Sequence, residues 1–555
     1  MTELLDQVAA WIDGDVDEAC RDELRQLVAA AQSDQAALAE LEDRFQARLQ
    51  FGTAGLRGAM GAGPNRMNRA VVIQAARGLI DYLGAAMDRP KVIIGNDARY
   101  HSRQFALDTA GVVTAAGGEA WLLPDQVPTP LLAYAVRLYG ADAGVMVTAS
   151  HNPAADNGYK VYLGGRMVPD HERGVQIVPP HDSAIAERIA ATPPANQIPC
   201  ADGWTDCGDE VLESYLGAIT AGDQPVCPIR IVHTAMHGVG SAPALAALDR
   251  AGFTDVVSVA AQRTPDPDFP TVSFPNPEEA GAMDLAFQLA EQVGADVVIA
   301  NDPDADRCAV GVLDPRQGWR RLHGDELGAV LASALGPDTP GVLASSIVSS
   351  RQLAAIAAGQ QRPHQPTLTG FKWMGRVPGL AFAYEEAIGY CVRPDLVRDK
   401  DGLSTAVAVA RLVAHLKATG QTIVDRLDDL ARTHGLYLTS QLSVRCTDLS
   451  AIPAMMEGLR TNPIKTLADS PVTEVADLAD GWQGLPPTDG ILMLTSANDR
   501  VIIRPSGTEP KVKSYLEVIC PVDPQASFDD LTKVRTDATA RLNALSSDIS
   551  AVLAN

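Results

Sequence analysis

The chain has 555 residues, 46% apolar and 21% charged, the balance of a soluble globular protein long enough for several buried cores. Its 69 acidic against 45 basic residues leave a net charge of −24, which repels nucleic acid and anionic membrane and excludes both as general partners. No stretch reaches the roughly 18 consecutive apolar residues of a membrane span, and the acidic start MTELLDQVAAWIDGD lacks the basic-then-apolar order of a secretory signal.

Residues 1–50 read as a helical extension, because Leu4, Leu5, Val8 and Trp11, then Leu38, Leu41 and Phe45, recur at helical spacing. From residue 69 helix and strand alternate. RAVVIQAARGLIDYLGAAM is an amphipathic helix, KVIIGN a strand ending at a turn, FALDTAGVVTAAG a helix and AGVMVTAS a strand. The pattern restarts with IRIVHT and SAPALAALDRAG, closing on the strand in GADVVIAND. It restarts again with GDELGAVLASAL, TPGVLASSIVSS, RQLAAIAAG and LSTAVAVARLVAHLKATG. Such alternation predicts βαβ units and parallel sheets. After about residue 437, YLTSQLSVRC, GILMLTSANDRVIIRPSG and VKSYLEVIC read as strands before a last helix, DDLTKVRTDATARLNALSSDI, the texture of a smaller α+β domain. The division expected is a helical extension over 1–50, α/β domains over 51–222, 223–319 and 320–435, and an α+β domain over 436–555. Eight cysteines stand alone without a close C-x-x-C pair, which speaks against a structural zinc site and fits a reducing, cytoplasmic setting.

Four groups of residues carry chemistry. In V-M-V-T-A-S-H-N-P, Ser150 follows a strand, where open α/β sheets gather ligands. It reads either as a nucleophile or phosphate carrier with an exposed hydroxyl, or as a turn or N-cap serine. His151 would need an unusual backbone to reach that hydroxyl, so a Ser-His-Asp triad is a poor reading. Asn157-Gly158 signals a turn, after which Lys160 re-enters the sheet, either as a general acid/base or as a surface lysine. In D-V-V-I-A-N-D-P-D-A-D-R, Asp302, Asp304 and Asp306 follow a strand at spacing two. Three such carboxylates repel one another unless a hard cation sits between them. An EF-hand does not fit, since its sixth position would be Arg307 and its twelfth Leu313. Glycine-bearing basic loops suit an anion: F-G-T-A-G-L-R-G with Arg57, G-N-D-A-R with Arg99, T-G-F-K-W with Lys372, and R-P-S-G-T-E-P-K with Arg504 and Lys511. Glu385 and Glu386 interrupt an apolar stretch and suit sugar hydroxyls. Together these parts point to phosphoryl transfer on a sugar.

With T-A-S-H-N-P, D-P-D-A-D-R, T-G-F-K-W, E-E-A-I-G-Y and R-P-S-G-T-E-P in this order, the sequence resembles the α-D-phosphohexomutase family from about residue 50 to 545. The resemblance implies three similar α/β domains with mixed sheets plus a smaller C-terminal α+β domain, arranged around a central cleft. It implies that Ser150 carries the phosphoryl group and that Asp302, Asp304 and Asp306, with Ser150, hold one Mg²⁺ per chain. Arg57, His151 and Lys160 would serve catalysis, and Arg307 would contact substrate. Gly370, Phe371 and Lys372 would select the sugar, with Glu385 or Glu386 on its hydroxyls. Arg504, Ser506, Gly507 and Thr508 would bind the distal phosphate. The expected reaction interconverts hexose 1- and 6-phosphates, glucose before mannose, with glucose 1,6-bisphosphate as activator. A phosphopentomutase is the alternative within the family. A Mg²⁺ phosphatase with an aspartate nucleophile, from a different class, leaves Ser150 without a role. A sugar-phosphate-binding regulator would predict a damaged serine or metal loop, and neither is damaged. Partners would be small sugar phosphates, with neither nucleic acid nor membrane, for a cytoplasmic monomer or homodimer. The sugar-recognition motif departs from the family where a serine is usual, at Ala387 (or Ile388), and where some branches carry histidine, at Tyr390.

Overall fold

The computed structural model describes residues 2–52, 55–337, 339–445, 451–505 and 511–553. They form two compact units, Met1–Gly311 with Gly389–His415, and Val312–Ile388 with Leu416–Asn555.

The first unit opens with helices Thr2–Gly14, Glu18–Ala30 and Gln35–Phe45. Asp17 and Asp34 cap the second and third by accepting from the N–H groups of Ala19 and Ala36. Val8, Leu24 and Leu41 turn inward and meet Ala62. A seven-stranded sheet follows, in the order Leu56–Ala59, Asp156–Leu163, Ala143–Val147, Lys91–Asn96, Glu119–Leu122, Thr205–Asp206, with Val175–Gln176 pairing on Asp156–Leu163. Lys91–Asn96 runs parallel to both neighbours, whereas Asp156–Leu163 runs antiparallel to its own, so the sheet is mixed. The unbroken VIIG of the central strand is buried on both faces, as helix-covered parallel strands require. Helices Arg69–Ala86 and Ser102–Ala115 supply much of that cover, with Leu79, Leu83, Phe105 and Val113 in the core. Truncating Leu79 to alanine there would cost about 2–5 kcal/mol.

The expected turn at Asn157-Gly158 is not one. Both residues lie inside the strand Asp156–Leu163, paired with Gly58 and Arg57. The Asn157 side chain is buried and donates to the Tyr100 carbonyl and Ser102 Oγ, and a Cβ on Gly158 would fall 2.6 Å from the Thr148 carbonyl oxygen. Close packing across the sheet, not a reversal of the chain, selects these two residues.

A second sheet sets Ile231–Thr234 between the parallel strands Val256–Ser258 and Val297–Ala300, and Ala309–Asp314 joins antiparallel. In the second unit, Val342–Ser346 lies between the parallel strands His364–Thr367 and Leu380–Glu385, with helices Gly324–Ser333 and Gln352–Gly359. The C-terminal sheet has a different architecture. Its six strands run in the order Leu436–Arg445, Lys511–Cys520, Arg500–Pro505, Ile491–Thr495, Ser470–Asp477, Thr466–Leu467, with antiparallel neighbours throughout. Period-two alternation divides its faces. Val501, Ile503, Val512 and Leu516 pack with helix Phe528–Leu553, while Ile502 and Tyr515 pack with Ile347 and Val348. The chain is thus three α/β domains with a C-terminal domain of another fold, as its alternation of elements predicts. No described helix is long and apolar enough to cross a membrane.

Candidate functional site

Strand ends of the first unit bring two loops together. Ser150 lies just past Ala143–Val147 and holds φ at +51°, a left-handed conformation that costs a non-glycine residue about 1 kcal/mol. Its N–H donates to Thr148 Oγ1 at 2.9 Å. Its hydroxyl donates to Asp302 Oδ2 at 2.7 Å and lies 3.3 Å from His151 Nδ1. The backbone needed for His151 to reach Ser150 is therefore present, yet the carboxylate takes the shorter contact. The Ser150 hydroxyl, expected to be exposed, is buried because Asp302 covers it; the residue is 3% exposed. Burial first, then the nearby Arg307 and Arg57, pushes His151 well below its ordinary value and keeps it neutral near pH 7. Arg57, on Leu56–Ala59, donates to Asn152 Oδ1 at 3.3 Å.

Asp302, Asp304 and Asp306 follow Val297–Ala300, are fully buried, and each places an oxygen within 4.8 Å of the others. Asp304 Oδ1 and Asp306 Oδ1 have no hydrogen-bond partner among the described residues. Burial first, then Asp304 and Asp306, holds Asp302 well above the usual carboxylate range. Such a cluster, all oxygen and with two unpartnered buried carboxylate atoms, suits a hard cation. Ala305, at the loop tip, also takes a left-handed φ of +54°. The loop is hemmed in by backbone. A Cβ on Gly238 would lie 2.3 Å from Pro303 Cα, and one on Gly402 would lie 2.2 Å from the Arg307 carbonyl oxygen.

Cations face the cluster. Lys160 Nζ lies 2.7 Å from Asp304 Oδ2 and 2.9 Å from Asp306 Oδ2. Burial pulls its ammonium down, but the two carboxylates outweigh that and hold it above its ordinary value. The surface-lysine reading of Lys160 therefore fails. Arg307 Nε lies 3.8 Å from Asp306 Oδ1. Two neighbours were not singled out in the sequence. Lys400 Nζ lies 3.4 Å from Asp306 Oδ2, and Thr129 donates to Asp304 Oδ2 at 2.7 Å. Lys400 has a signal of sorts, a lysine between two aspartates in R-D-K-D-G; a threonine at a helix start has none. Arg99, grouped by sequence with the anion-binding loops, is buried with its guanidinium turned onto main-chain carbonyls.

The second unit holds the remaining candidates. Gly370, at φ +105°, precedes the short helix Phe371–Met374. Phe371 is buried, with 2% of it exposed, and Lys372 is half-buried. Glu385 ends the strand Leu380–Glu385 and is buried, as is Glu386. Ser346 and Ser349 both donate to Glu386 Oε2 at 3.0 Å. Burial, then Glu385 and Asp325, raises Glu386 to about 7. Arg504 sits half-buried on Arg500–Pro505, near Tyr515, whose phenol burial first and then the Glu386 carboxylate push up while Arg504 pulls it down. Ser506, Gly507 and Thr508 lie outside the described residues.

Comparison with known proteins matches the three α/β/α domains I, II and III of phosphoglucomutase/phosphomannomutase to residues 48–194, 213–315 and 323–433. A Haemophilus influenzae protein named "Probable phosphomannomutase" is 45% identical over 457 residues, 81% of this chain and 93% of that one. A Mus musculus phosphopentomutase is 35% identical over 570 residues, 93% and 90% of the two chains. A crystal structure of a phosphoglucomutase/phosphomannomutase family protein from Burkholderia thailandensis shares the fold at a TM-score of 0.67 and 19% identity, covering 90% of this chain and 98% of that one.

Proposed function

We propose, for a chain that belongs to the phosphoglucomutase/phosphomannomutase family and is thereby a phosphomutase, an intramolecular phosphotransferase, that its reaction interconverts glucose 1-phosphate and glucose 6-phosphate through Ser150, with mannose phosphates as close second substrates. The observation that carries the assignment of Ser150 is its hydroxyl on Asp302 Oδ2 at 2.7 Å, at the edge of the carboxylate cluster. Asp302, Asp304 and Asp306, joined by an oxygen of the Ser150 phosphate, would hold one Mg²⁺, whose unpartnered buried ligand atoms and hard oxygen donors fit that ion. Bound there, the ion would offset charge on the transferring phosphoryl group.

This chain's own residues account for the rest. In the first step the 6-hydroxyl of glucose 1-phosphate attacks the Ser150 phosphorus, the Ser150 O–P bond breaks, and glucose 1,6-bisphosphate forms. Lys160, held protonated by its two carboxylates, is suited to give a proton to the departing serine oxygen and to recover one from the attacking hydroxyl. The bisphosphate then turns end for end. In the second step Ser150 takes back the phosphoryl group from the 1-position, leaving glucose 6-phosphate. Arg57 and Arg307 supply fixed positive charge, and neutral His151 shapes the serine loop. Gly370, Phe371, Lys372, Glu385 and Glu386 serve sugar recognition, and Arg504, Ser506, Gly507 and Thr508 the phosphate that does not react. Traces of glucose 1,6-bisphosphate would prime Ser150. The same reading carries the domain division given above, sugar phosphates as the only partners beyond a second copy of the chain, and a cytoplasmic site of action.

A second reading, a phosphopentomutase, is favoured by the 35% identity to the mouse enzyme and by Ala387, which removes a hydroxyl from the sugar motif. The test is initial rates on glucose, mannose and ribose 1-phosphates with Mg²⁺ and trace bisphosphate, beside Ser150→Ala. A preference of about tenfold in kcat/KM names the sugar. Turnover retained by Ser150→Ala would sink the phosphoserine.

A further inference from the structure

The loop that carries Ser150 is irregular, and several of its carbonyl oxygens turn away from the sheet toward one side chain. Asn152 N–H turns back to the Ala149 carbonyl and Asp156 N–H to the Pro153 carbonyl, while Ser150 holds its left-handed φ. Carbonyls that leave the sheet ladder and are shielded from water need other donors. One side chain supplies them. Arg99, 4% exposed, donates through Nη2 to the carbonyls of Ser150 and Asn152, both at 2.6 Å. Through Nη1 it donates to those of Pro153 at 2.7 Å and Asp156 at 3.1 Å.

Arg99 is itself fixed from behind. Its Nε lies 3.5 Å from Asp97 Oδ2, and its guanidinium carbon sits 5.0 Å from the centre of the Phe269 ring. Asp97 Oδ1 accepts from the Arg99 N–H and from Ser102 Oγ. The segment after the strand Lys91–Asn96 is thus a rigid mount, and the planar fork on it grips the serine loop at four points.

We propose that Arg99 is the positioning residue of the phosphoryl-transfer loop, holding Ser150 in the left-handed conformation that aims its hydroxyl at Asp302. This rests on the reading of Ser150 as the phosphoryl carrier. Arg99 does not meet the sugar phosphate, since both Nη atoms are occupied by the protein's own carbonyls. A lysine keeps the charge but not the fork, so charge and geometry can be separated.

The experiment compares Arg99→Lys and Arg99→Met with wild type and with Ser150→Ala. It measures kcat and KM for the best sugar phosphate, the rate at which bisphosphate phosphorylates the protein by intact mass, and the thermal midpoint. A misplaced nucleophile loses turnover, so Arg99→Lys should lower kcat about 30- to 100-fold with KM within about threefold of wild type. Phosphorylation of Ser150 should slow in parallel, and guanidinium, at concentrations too low to unfold the protein, should restore part of the turnover of Arg99→Met. Wild-type kcat in Arg99→Lys, with Ser150→Ala inactive, overturns the positioning role, because charge alone then suffices. A drop in Arg99→Lys that appears in KM and leaves kcat unchanged also overturns it, by making Arg99 a substrate ligand. Activity in Ser150→Ala would instead remove the reading on which the proposal rests. Should Arg99→Met fail to fold, the kcat and KM of Arg99→Lys decide the question.

Discussion

Thr129 holds Asp304 twice. Its hydroxyl donates to Asp304 Oδ2 at 2.7 Å, and its N–H donates to the Asp304 carbonyl at 2.9 Å. One residue at the start of helix Thr129–Leu138 therefore sets both the path of the carboxylate loop and the rotamer of its middle member. Replacing Thr129 with valine keeps the shape and the N–H and removes only the hydroxyl. Outer-shell losses of this kind weaken metal binding about 10- to 100-fold. A Mg²⁺ titration of mutase rate should move to higher concentration by about tenfold, with turnover recovered at saturation; an unchanged titration would dissociate Thr129 from the metal.

Metal removal should be felt through charge. Three buried carboxylates within 4.8 Å repel one another when nothing lies between them. Mg²⁺ added to chelator-treated wild type should therefore raise its melting temperature. Asp304→Asn, which removes a carboxylate held below its ordinary value and so ionised, should respond to Mg²⁺ by less than half as much. Differential scanning fluorimetry with and without chelator reads both. Equal Mg²⁺ shifts in the two proteins would place the ion elsewhere.

Glu386 carries a pH signature. Its ordinary value is 4.5 and its folded value about 7, so the folded state binds the proton more tightly than the unfolded chain does. Stability contributed by this group is complete below pH 4.5 and falls as pH rises from there to about 7, by at most about 3 kcal/mol. Glu386→Gln removes that slope. Relative to wild type, the variant should gain about 1–3 kcal/mol between pH 4.5 and 8 in urea unfolding. A constant difference across that range would show that Glu386 does not titrate there.

Glu517 ties the C-terminal sheet to the loop that holds Glu386. It accepts from Ser350 Oγ at 2.8 Å, from the Arg351 N–H at 2.8 Å and from Arg351 Nε at 2.6 Å, and Arg500 Nη2 lies 3.4 Å away. Arg500 in turn donates to the carbonyls of Ile347 and Ser349. Glu517→Gln leaves the buried Arg500 without its counter-charge, which should cost about 3 kcal/mol, seen as a lower urea midpoint at unchanged slope. An unshifted midpoint would mean that Arg351 and Arg500 find other partners.

The strand KVIIGN was legible to the residue, as Lys91–Asn96, because a run buried on both faces has no other reading between a helix and a turn. The carboxylate cluster was legible because its ligands are contiguous in the chain and their mutual repulsion needs a reason. Asn157-Gly158 misled because the same dipeptide serves a turn or a crowded strand, and only the neighbouring backbone at Thr148 decides. Ser150 was placed correctly after its strand, but its burial was not legible, since the group that covers it, Asp302, stands 152 positions further along the chain. The inward turn of Arg99 was not legible for a related reason. A guanidinium in a glycine-bearing loop does not announce whether it faces inward or outward.

Gly238 and Gly402 offer no functional group, yet each meets backbone atoms of the carboxylate loop closer than a methyl group could fit. A loop packed this tightly against backbone has little room to swell. Calcium asks for six to eight oxygens at 2.3–2.6 Å, whereas magnesium accepts a tighter octahedron near 2.1 Å. If the cluster holds a metal ion as proposed, two residues that never touch it would favour the smaller one, through the room they refuse to the residues that do.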